Sequence, residues 1–536
     1  MNAPQILLST FLQVPVYCPT QFPLVCPLPK RYTGPMKTLT ITCLAMTAML
    51  TLAAEQNPAM SAAYWEIWGP DTQAKLDRMI DQNRKADAVL NLPGVPAGAE
   101  IRIEQLTHDF IFGAHIFNFD QLGTPERNRA YKDLYGTLFN SATIAFYWKK
   151  FELEQGKPRF QAEERDTEAY WNNAKAPKDE PHWRRPATDP VVAFCESKGI
   201  RLHGHTLVWG NRRWQHPDWL WESVCPADEK EKILKLGKDG LAKLPPAQIA
   251  ELAPVYVAEV TRLLEKRITE IADRYKGRLH SWDVVNESAV DFSKGLMIPG
   301  DAVCKSTYGL MPGDYTYHGF KNADRLFPKN ILLNINDYLN TDAYTKQVID
   351  LRTRGCRIDI MGSQMHLFSP QECLNIAEGK AVGKPVNTPE QIWSMMETFA
   401  KAGLPLHLSE ITITAPNNDE RGQQIQAVIT RNLYRAWFSV KPMMGITWWN
   451  VVDDCGAPGE PSVSGLFSRD MQPKPAYFAL DNLINSEWKT RLTVKASESG
   501  RAAFRGFKGK YRATWRDASG AEKSAEFHLS KDGDGV

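Results

Sequence analysis

The sequence predicts an α/β fold, a closed (β/α)₈ (TIM) barrel carrying a small C-terminal β appendage. Three observations carry that expectation. Eight short apolar runs recur from about residue 105 onward, and stretches of helical periodicity separate them. Their span of about 380 residues suits a closed barrel once insertions are allowed. Reactive side chains also collect where the runs end, and in this fold the site lies at the carboxyl ends of the strands. The rival architecture is an open, doubly wound sheet, but no glycine-rich phosphate loop follows any of the runs.

The eight runs are FIFGAHI (110–116), SATIAFYW (141–148), RLHGHTLVW (201–209), HSWDVVNE (280–287), ILLNINDY (331–338), DIMGSQMH (359–366), LPLHLSEITI (404–413) and GITWWNV (445–451). Short apolar segments bounded by polar residues suit strands buried on both faces. Between the third and fourth runs lies VYVAEVTRLLEKRITEIADRY. Its Val260, Leu263, Leu264, Ile268, Ile271 and Tyr275 recur at helical spacing and predict one buried face. Residues 55–104 form a lead-in segment, with a helix near 72–86 and a short apolar element. Polar insertions are expected at 160–190 and 222–254. The barrel is expected over 105–487. Residues 488–536 change character: RLTVKA, GKYRATW and SAEFHLS alternate with period two and are joined by Gly, Asp and Ser, so they predict a small β unit that leans on the barrel.

The N-terminus predicts export. Met36-Lys37 opens a stretch in which one positive charge precedes the apolar run Leu39–Leu52, followed by Ala53 and Ala54. That is the layout of a signal peptide over 36–54, too short for a comfortable membrane span. Residues 1–35 are expected to reflect an upstream start. The mature protein is therefore expected to be secreted or periplasmic, with no membrane as partner. Of nine cysteines, Cys195, Cys225, Cys304, Cys356, Cys373 and Cys455 follow the signal, widely spaced and with no CxxC. A formal net charge of +2 gives no argument for nucleic acid as a partner, and none is expected. The 16 Trp and 17 Tyr supply flat amphipathic rings that suit sugar faces, although most such rings pack cores.

Two carboxylates sit in matching places, Glu287 at the end of the fourth run and Glu410 near the end of the seventh. Enzymes that cut glycosidic bonds use such a pair, one to protonate the leaving oxygen and one to stabilise or attack the anomeric carbon. The motifs LHGHTLVWG, WDVVNE, NINDY, GSQMH, LSEITI and GITWWN occur together in this order, and over residues 105–485 the chain resembles glycoside hydrolase family 10. That resemblance implies a retaining endo-β-1,4-xylanase on a (β/α)₈ barrel, acting on xylan or xylo-oligosaccharides and needing no cofactor or metal; a monomer is the separate expectation for its oligomeric state. It makes Glu287 the general acid/base and Glu410 the nucleophile. It places Asn286 on the 2-hydroxyl of the sugar at the cleavage point and His205 on a neighbouring hydroxyl. Trp209 and Trp449 would wall the sugar, Gln364 and His366 would surround the nucleophile, and Lys149 and Tyr338 would complete the substrate contacts.

The chain departs from that pattern in three places. AFYWKK stands where many members carry a Glu-Asn pair ahead of Lys-Trp, so only Lys149 has a counterpart. Thr412 replaces an Asp two residues after the nucleophile, so the imidazolium form of His366 is expected to be disfavoured. Gly210 replaces a His. These changes bear on the substrate more than on the reaction. A related β-1,4-glycanase acting on glucan or aryl glycosides is therefore one alternative, and a barrel that binds xylan without cutting it is another. A third is a metal-dependent hydrolase using His203 and His205, whose HxH spacing puts both on one strand face. Core or supporting positions are the simpler expectation for His203 and His407.

Overall fold

Each of the eight apolar runs holds one strand of a single barrel. In chain order the strands are β1 (Lys85–Asn91), β2 (Glu100–His108), β3 (Ile111–His115), β4 (Ser141–Ala145), β5 (Arg201–Trp209), β6 (Ser281–Asn286) and β7 (Leu332–Asp337). They continue as β8 (Ile360–Leu367), β9 (Leu406–Ile413), β10 (Met443–Trp448), β11 (Arg491–Lys495), β12 (Arg501–Phe507), β13 (Gly509–Arg516) and β14 (Glu522–Leu529). The computed structural model describes residues 56–161, 185–292 and 310–535, apart from isolated positions at 93, 213, 245–247, 249, 250 and 458. The expected signal, the stretch before it, Cys304 and most of the insertion after the second barrel strand lie outside these residues.

Strands β3 to β10 pair in sequence order, all parallel, and β10 closes on β3 through Gly445 opposite Ile111. β3, β4, β6 and β9 are buried at every residue, which is why their sequences read as continuous apolar runs rather than alternating ones. Helices cover the outside. The long helix Pro254–Tyr275 starts with Pro at its first turn and buries Val260, Leu263, Leu264, Ile268, Ile271 and Tyr275, the face its periodicity predicted. Among the described residues no helix is long and apolar enough to cross a membrane.

One glycine is fixed by packing. Gly204 separates His203 from His205 on β5, and a Cβ there would lie 2.2 Å from the Trp282 indole of β6. Trp282 is itself locked between Phe146 and Phe327, with ring centroids 4.8 and 5.4 Å away. Gly204→Ala is therefore expected to lower stability by roughly 1–3 kcal/mol. A melting temperature equal to wild type would contradict this packing.

The C-terminal strands do not form a separate appendage. β11 pairs with β2, β2 with β13, and β13 with β14, while β12 pairs with β1. The lead-in segment thus contributes β1 and β2 to the same β module. Its core comes from alternate residues of both chain ends: Ala86, Ala88 and Leu90; Ile101 and Ile103; Phe504; Tyr511, Ala513 and Trp515; Phe527 and Leu529. Tyr511 stacks on Phe527 with centroids 5.4 Å apart. The module rests on the amino-terminal end of the barrel, opposite the strand ends that hold the reactive residues. There Trp488 stacks on Phe438 at 4.0 Å, and the Arg84 guanidinium donates to the carbonyls of Phe438 and Met443. Among the described residues Cys195, Cys225, Cys356, Cys373 and Cys455 are buried thiols outside any disulfide.

Candidate active site

Parallel register determines which side chains meet. Asn286 of β6 lies opposite Asn336 of β7, Gln364 of β8 opposite Glu410 of β9, and His366 opposite Thr412. Glu287 follows the last residue of β6, and its N–H donates to the Asn336 carbonyl at 2.8 Å. Its φ of 54° is left-handed, a conformation costly for a side chain of this kind. Held there, its carboxyl turns into the mouth of the barrel. A cavity of about 1060 Å³ occupies that mouth. All ten residues expected at the site line it: Lys149, His205, Trp209, Asn286, Glu287, Tyr338, Gln364, His366, Glu410 and Trp449.

A continuous network joins the two carboxylates. The Asn336 amide donates to Glu410 Oε1 at 2.7 Å and to Asn286 Oδ1 at 2.9 Å. The Gln364 amide donates to Asn286 Oδ1 at 3.3 Å and to Glu287 Oε1 at 3.1 Å. Ser409 Oγ donates to Asn336 Oδ1 at 2.5 Å and so orients its amide. Asn336 is thus the residue that positions Glu410, although its sequence marks it only as one polar strand-end residue among several. Asn336→Ala is expected to lower kcat by about 10–100-fold with little change in KM, the usual cost of losing a residue that orients a reactive group. A kcat within twofold of wild type would remove Asn336 from that role.

His203 and His205 both turn inward and share one acceptor, since β5 sets His203 opposite Ser281 and His205 opposite Asp283. His203 Nε2 and His205 Nδ1 lie 2.9 and 2.8 Å from Asp283 Oδ2, and His203 Nδ1 lies 2.8 Å from Ser281 Oγ. Both nitrogens of His203 are therefore engaged, and the metal-ligand reading of the HxH pair loses its first ligand. Burial pushes Asp283 up, but His203 and His205 outweigh it and hold the carboxyl well below the usual carboxylate range. His205 is left with Nε2 facing Glu410 Oε1 at 3.8 Å. His407 is buried, with Nε2 2.9 Å from Thr447 Oγ1, in the supporting place expected of it.

His366 Nδ1 meets Thr412 Oγ1 at 2.9 Å, and its Nε2 lies 3.4 Å from Glu410 Oε2. Burial lowers its pKa to about 4, with Glu460 opposing and Lys384 adding to the shift. The imidazole is accordingly neutral. Glu410 is shifted the other way. Burial pushes it up to about 8, aided by Asp283 and Glu460 and opposed by His205 and the Asn336 amide.

That shift has a stability consequence with a definite sign. The folded protein holds the Glu410 proton more tightly than the unfolded chain, whose glutamate titrates near 4.5. The resulting stabilisation is complete below about pH 4.5 and is lost as pH rises through about 8. Glutamine cannot lose a proton. Glu410→Gln is therefore expected to melt within about 1 °C of wild type at pH 4 and above it by roughly 2–5 °C at pH 8–9. A gap independent of pH would contradict the shift.

Aromatic rings wall the cavity. Trp209 and Trp449 cluster with Phe117 and Tyr147, and Trp449 sits edge-on to His205 with centroids 5.5 Å apart. Its neighbour Trp448 points the other way, stacked on Tyr434 of the outer helix Glu420–Ser439 with centroids 6.4 Å apart. Tyr338 is partly exposed at the rim. Lys149 pairs with Asp218 at 2.7 Å. Tyr147, Arg185, Asn340, Lys384 and Glu460 also line the cavity, although their sequence context did not single them out. Arg185 lies over the rings of Phe117 and Tyr147, 4.2 and 5.1 Å from their centroids. No periodicity in the polar insertion that precedes it could have announced this.

The chain matches Glycosyl hydrolase family 10 over residues 126–483. It is 26% identical over 309 residues to "Endo-1,4-beta-xylanase A" of Caldicellulosiruptor sp. (strain Rt8B.4), covering 54% of this chain and 38% of that one. It is 23% identical over 313 residues to "Endo-1,4-beta-xylanase B" of Paenibacillus barcinonensis, covering 55% of this chain and 80% of that one. The alignment thus spans little more than a third of the first relative and most of the second. A crystal structure of xylanase 10B from Thermotoga petrophila RKU-1 in complex with xylobiose aligns at 18% identity with a TM-score of 0.48, covering 71% of this chain and 95% of that one. The matched residues 126–483 hold seven of the eight barrel strands and both carboxylates, and this chain belongs to glycosyl hydrolase family 10.

Proposed function

We propose that this protein is an exported, retaining endo-β-1,4-xylanase that cuts the xylan backbone by double displacement. The observation that carries the reading is the pair Glu287 and Glu410 at the mouth of one barrel, joined through Gln364, Asn286 and Asn336. Membership of the family supports the reaction class, and the relatives named endo-1,4-beta-xylanase support xylan as the polymer.

In the first step Glu410 attacks the anomeric carbon while Glu287 gives its proton to the departing glycosidic oxygen. In the second, Glu287 takes a proton from water, which displaces Glu410 and restores the starting configuration. Glu410 must be ionised to attack, and burial opposes that. The Asn336 amide donates to the anion, and the positive charge that His205 can carry, with Nε2 facing Glu410, favours it as well. Gln364 holds Glu287, and Trp209 and Trp449 present flat faces to the sugar. The AFYWKK departure at the end of β4 leaves a β-1,4-glucan as the second candidate polymer. The product profile on linear xylan, arabinoxylan, glucuronoxylan and a mixed-linkage glucan separates the readings. Short xylo-oligosaccharides from internal cuts are expected. Cleavage of the glucan alone would move the assignment to a glucanase, and binding without cleavage would make the barrel a xylan-binding module.

A further inference from the structure

The end of the cleft beside β4 is cationic in a way that neutral xylan does not explain. Lys149 and Lys150 follow each other on the short helix Trp148–Phe151, directly after β4, and both line the cavity. Lys149 has its counter-ion in Asp218, at 2.7 Å. Lys150 has none among the described residues, although its side chain is half-buried. The charges around it are mostly of its own sign. After burial, Lys149 and Arg185 are the strongest influences lowering its pKa, Arg159 adds to them, and Asp218 is the carboxylate opposing them.

This arrangement is held in place. The Arg159 guanidinium donates to the Lys150 carbonyl at 2.9 Å and to the Arg185 carbonyl at 3.1 Å, tying the two main chains together. Arg185 is pinned over Phe117 and Tyr147, and Tyr147 in turn sits edge-on to His205 at 5.2 Å. The cations therefore lie one residue layer from the reaction centre. Glu460 offsets Arg185 in part, but it also accepts from Asn450 and the Ala457 N–H on its own loop. An ammonium left half-buried among like charges is unfavourable until an anion reaches it, and a carboxylate forms strong charge-assisted hydrogen bonds with such a group.

We propose that Lys150, backed by Lys149 and Arg185, binds the carboxylate of a uronic acid side group on the xylan chain. Acid-substituted xylan would then be the preferred substrate of this cleft. The proposal deepens the xylanase reading and rests on it.

The test compares kcat/KM on a xylotetraose bearing one glucuronic acid branch with kcat/KM on plain xylotetraose. Wild type is expected to favour the acidic substrate by roughly tenfold at low ionic strength, the scale of one charge-assisted hydrogen bond. Raising the salt concentration should shrink that ratio. Lys150→Gln should bring it to about one, Lys150→Arg should retain most of it, and Lys150→Glu should invert it. A wild-type ratio of one or below, or a ratio that survives in Lys150→Gln, would overturn the proposal while leaving the xylanase reading intact. If wild type cuts neither substrate, the xylanase reading itself falls and this proposal falls with it. Should Lys150→Gln not fold, the salt dependence of the wild-type ratio decides the matter, because a ratio indifferent to salt excludes an ion pair.

Discussion

Glu410→Ala is expected to abolish xylan hydrolysis, with kcat lower by about 10⁴-fold or more, while the protein stays folded. The magnitude follows from the role. Without Glu410 the network has no carboxylate left to attack the anomeric carbon, because Asn336, Asn286 and Gln364 offer only amides and Glu287 serves the leaving oxygen. The fold should survive, since the carboxylate is buried at an energetic cost that its removal relieves. A small anion such as azide, added to the variant, should partly restore bond cleavage by taking the vacated place and should give a product of inverted configuration. Hydrolysis within a few-fold of wild type would end the assignment of Glu410 as nucleophile.

Glu287→Ala is expected to have the second-largest effect, and that effect depends on the substrate. Xylo-oligosaccharides leave as poor leaving groups and need a proton, so their turnover should fall by about 10²–10⁴-fold. A dinitrophenyl xylobioside needs none. Its first step should stay fast and release a burst of dinitrophenol, followed by slow turnover because water has lost its base. Equal losses on both substrates would contradict the acid/base role. The same residue in a left-handed backbone conformation, tied to Asn336 through its N–H, shows how the barrel aims one carboxyl at the cleft.

Much of this architecture was legible in the sequence because parallel strands buried on both faces leave short continuous apolar runs. Each of the eight runs holds a barrel strand, and the periodic face of Pro254–Tyr275 is the buried one. The β module was only half legible. β11 to β14 alternate clearly, but β1 is the modest alternation KADAVLN, built largely on alanine, and its partner β12 lies some 400 residues away. Local pattern carries no information about such a pairing. At the site, the residues that end strands were readable from position. Asn336 and Asp283 were harder, since each is one of several polar residues on its strand, and their importance comes from register with a neighbour. The HxH of β5 facing the Asp283 of β6 at matching alternation was the available signal. Arg185 and Lys150 had none. Their meaning depends on the tertiary contacts that bring an insertion back onto β4.

The most direct test of the central claim is the anomeric configuration of the first product, followed by proton NMR during xylo-oligosaccharide hydrolysis. Double displacement through Glu410 predicts that the β-anomer of the new reducing end appears first and only later equilibrates with the α-anomer. Initial appearance of the α-anomer would mean that water, not Glu410, attacks the sugar, and would contradict the account.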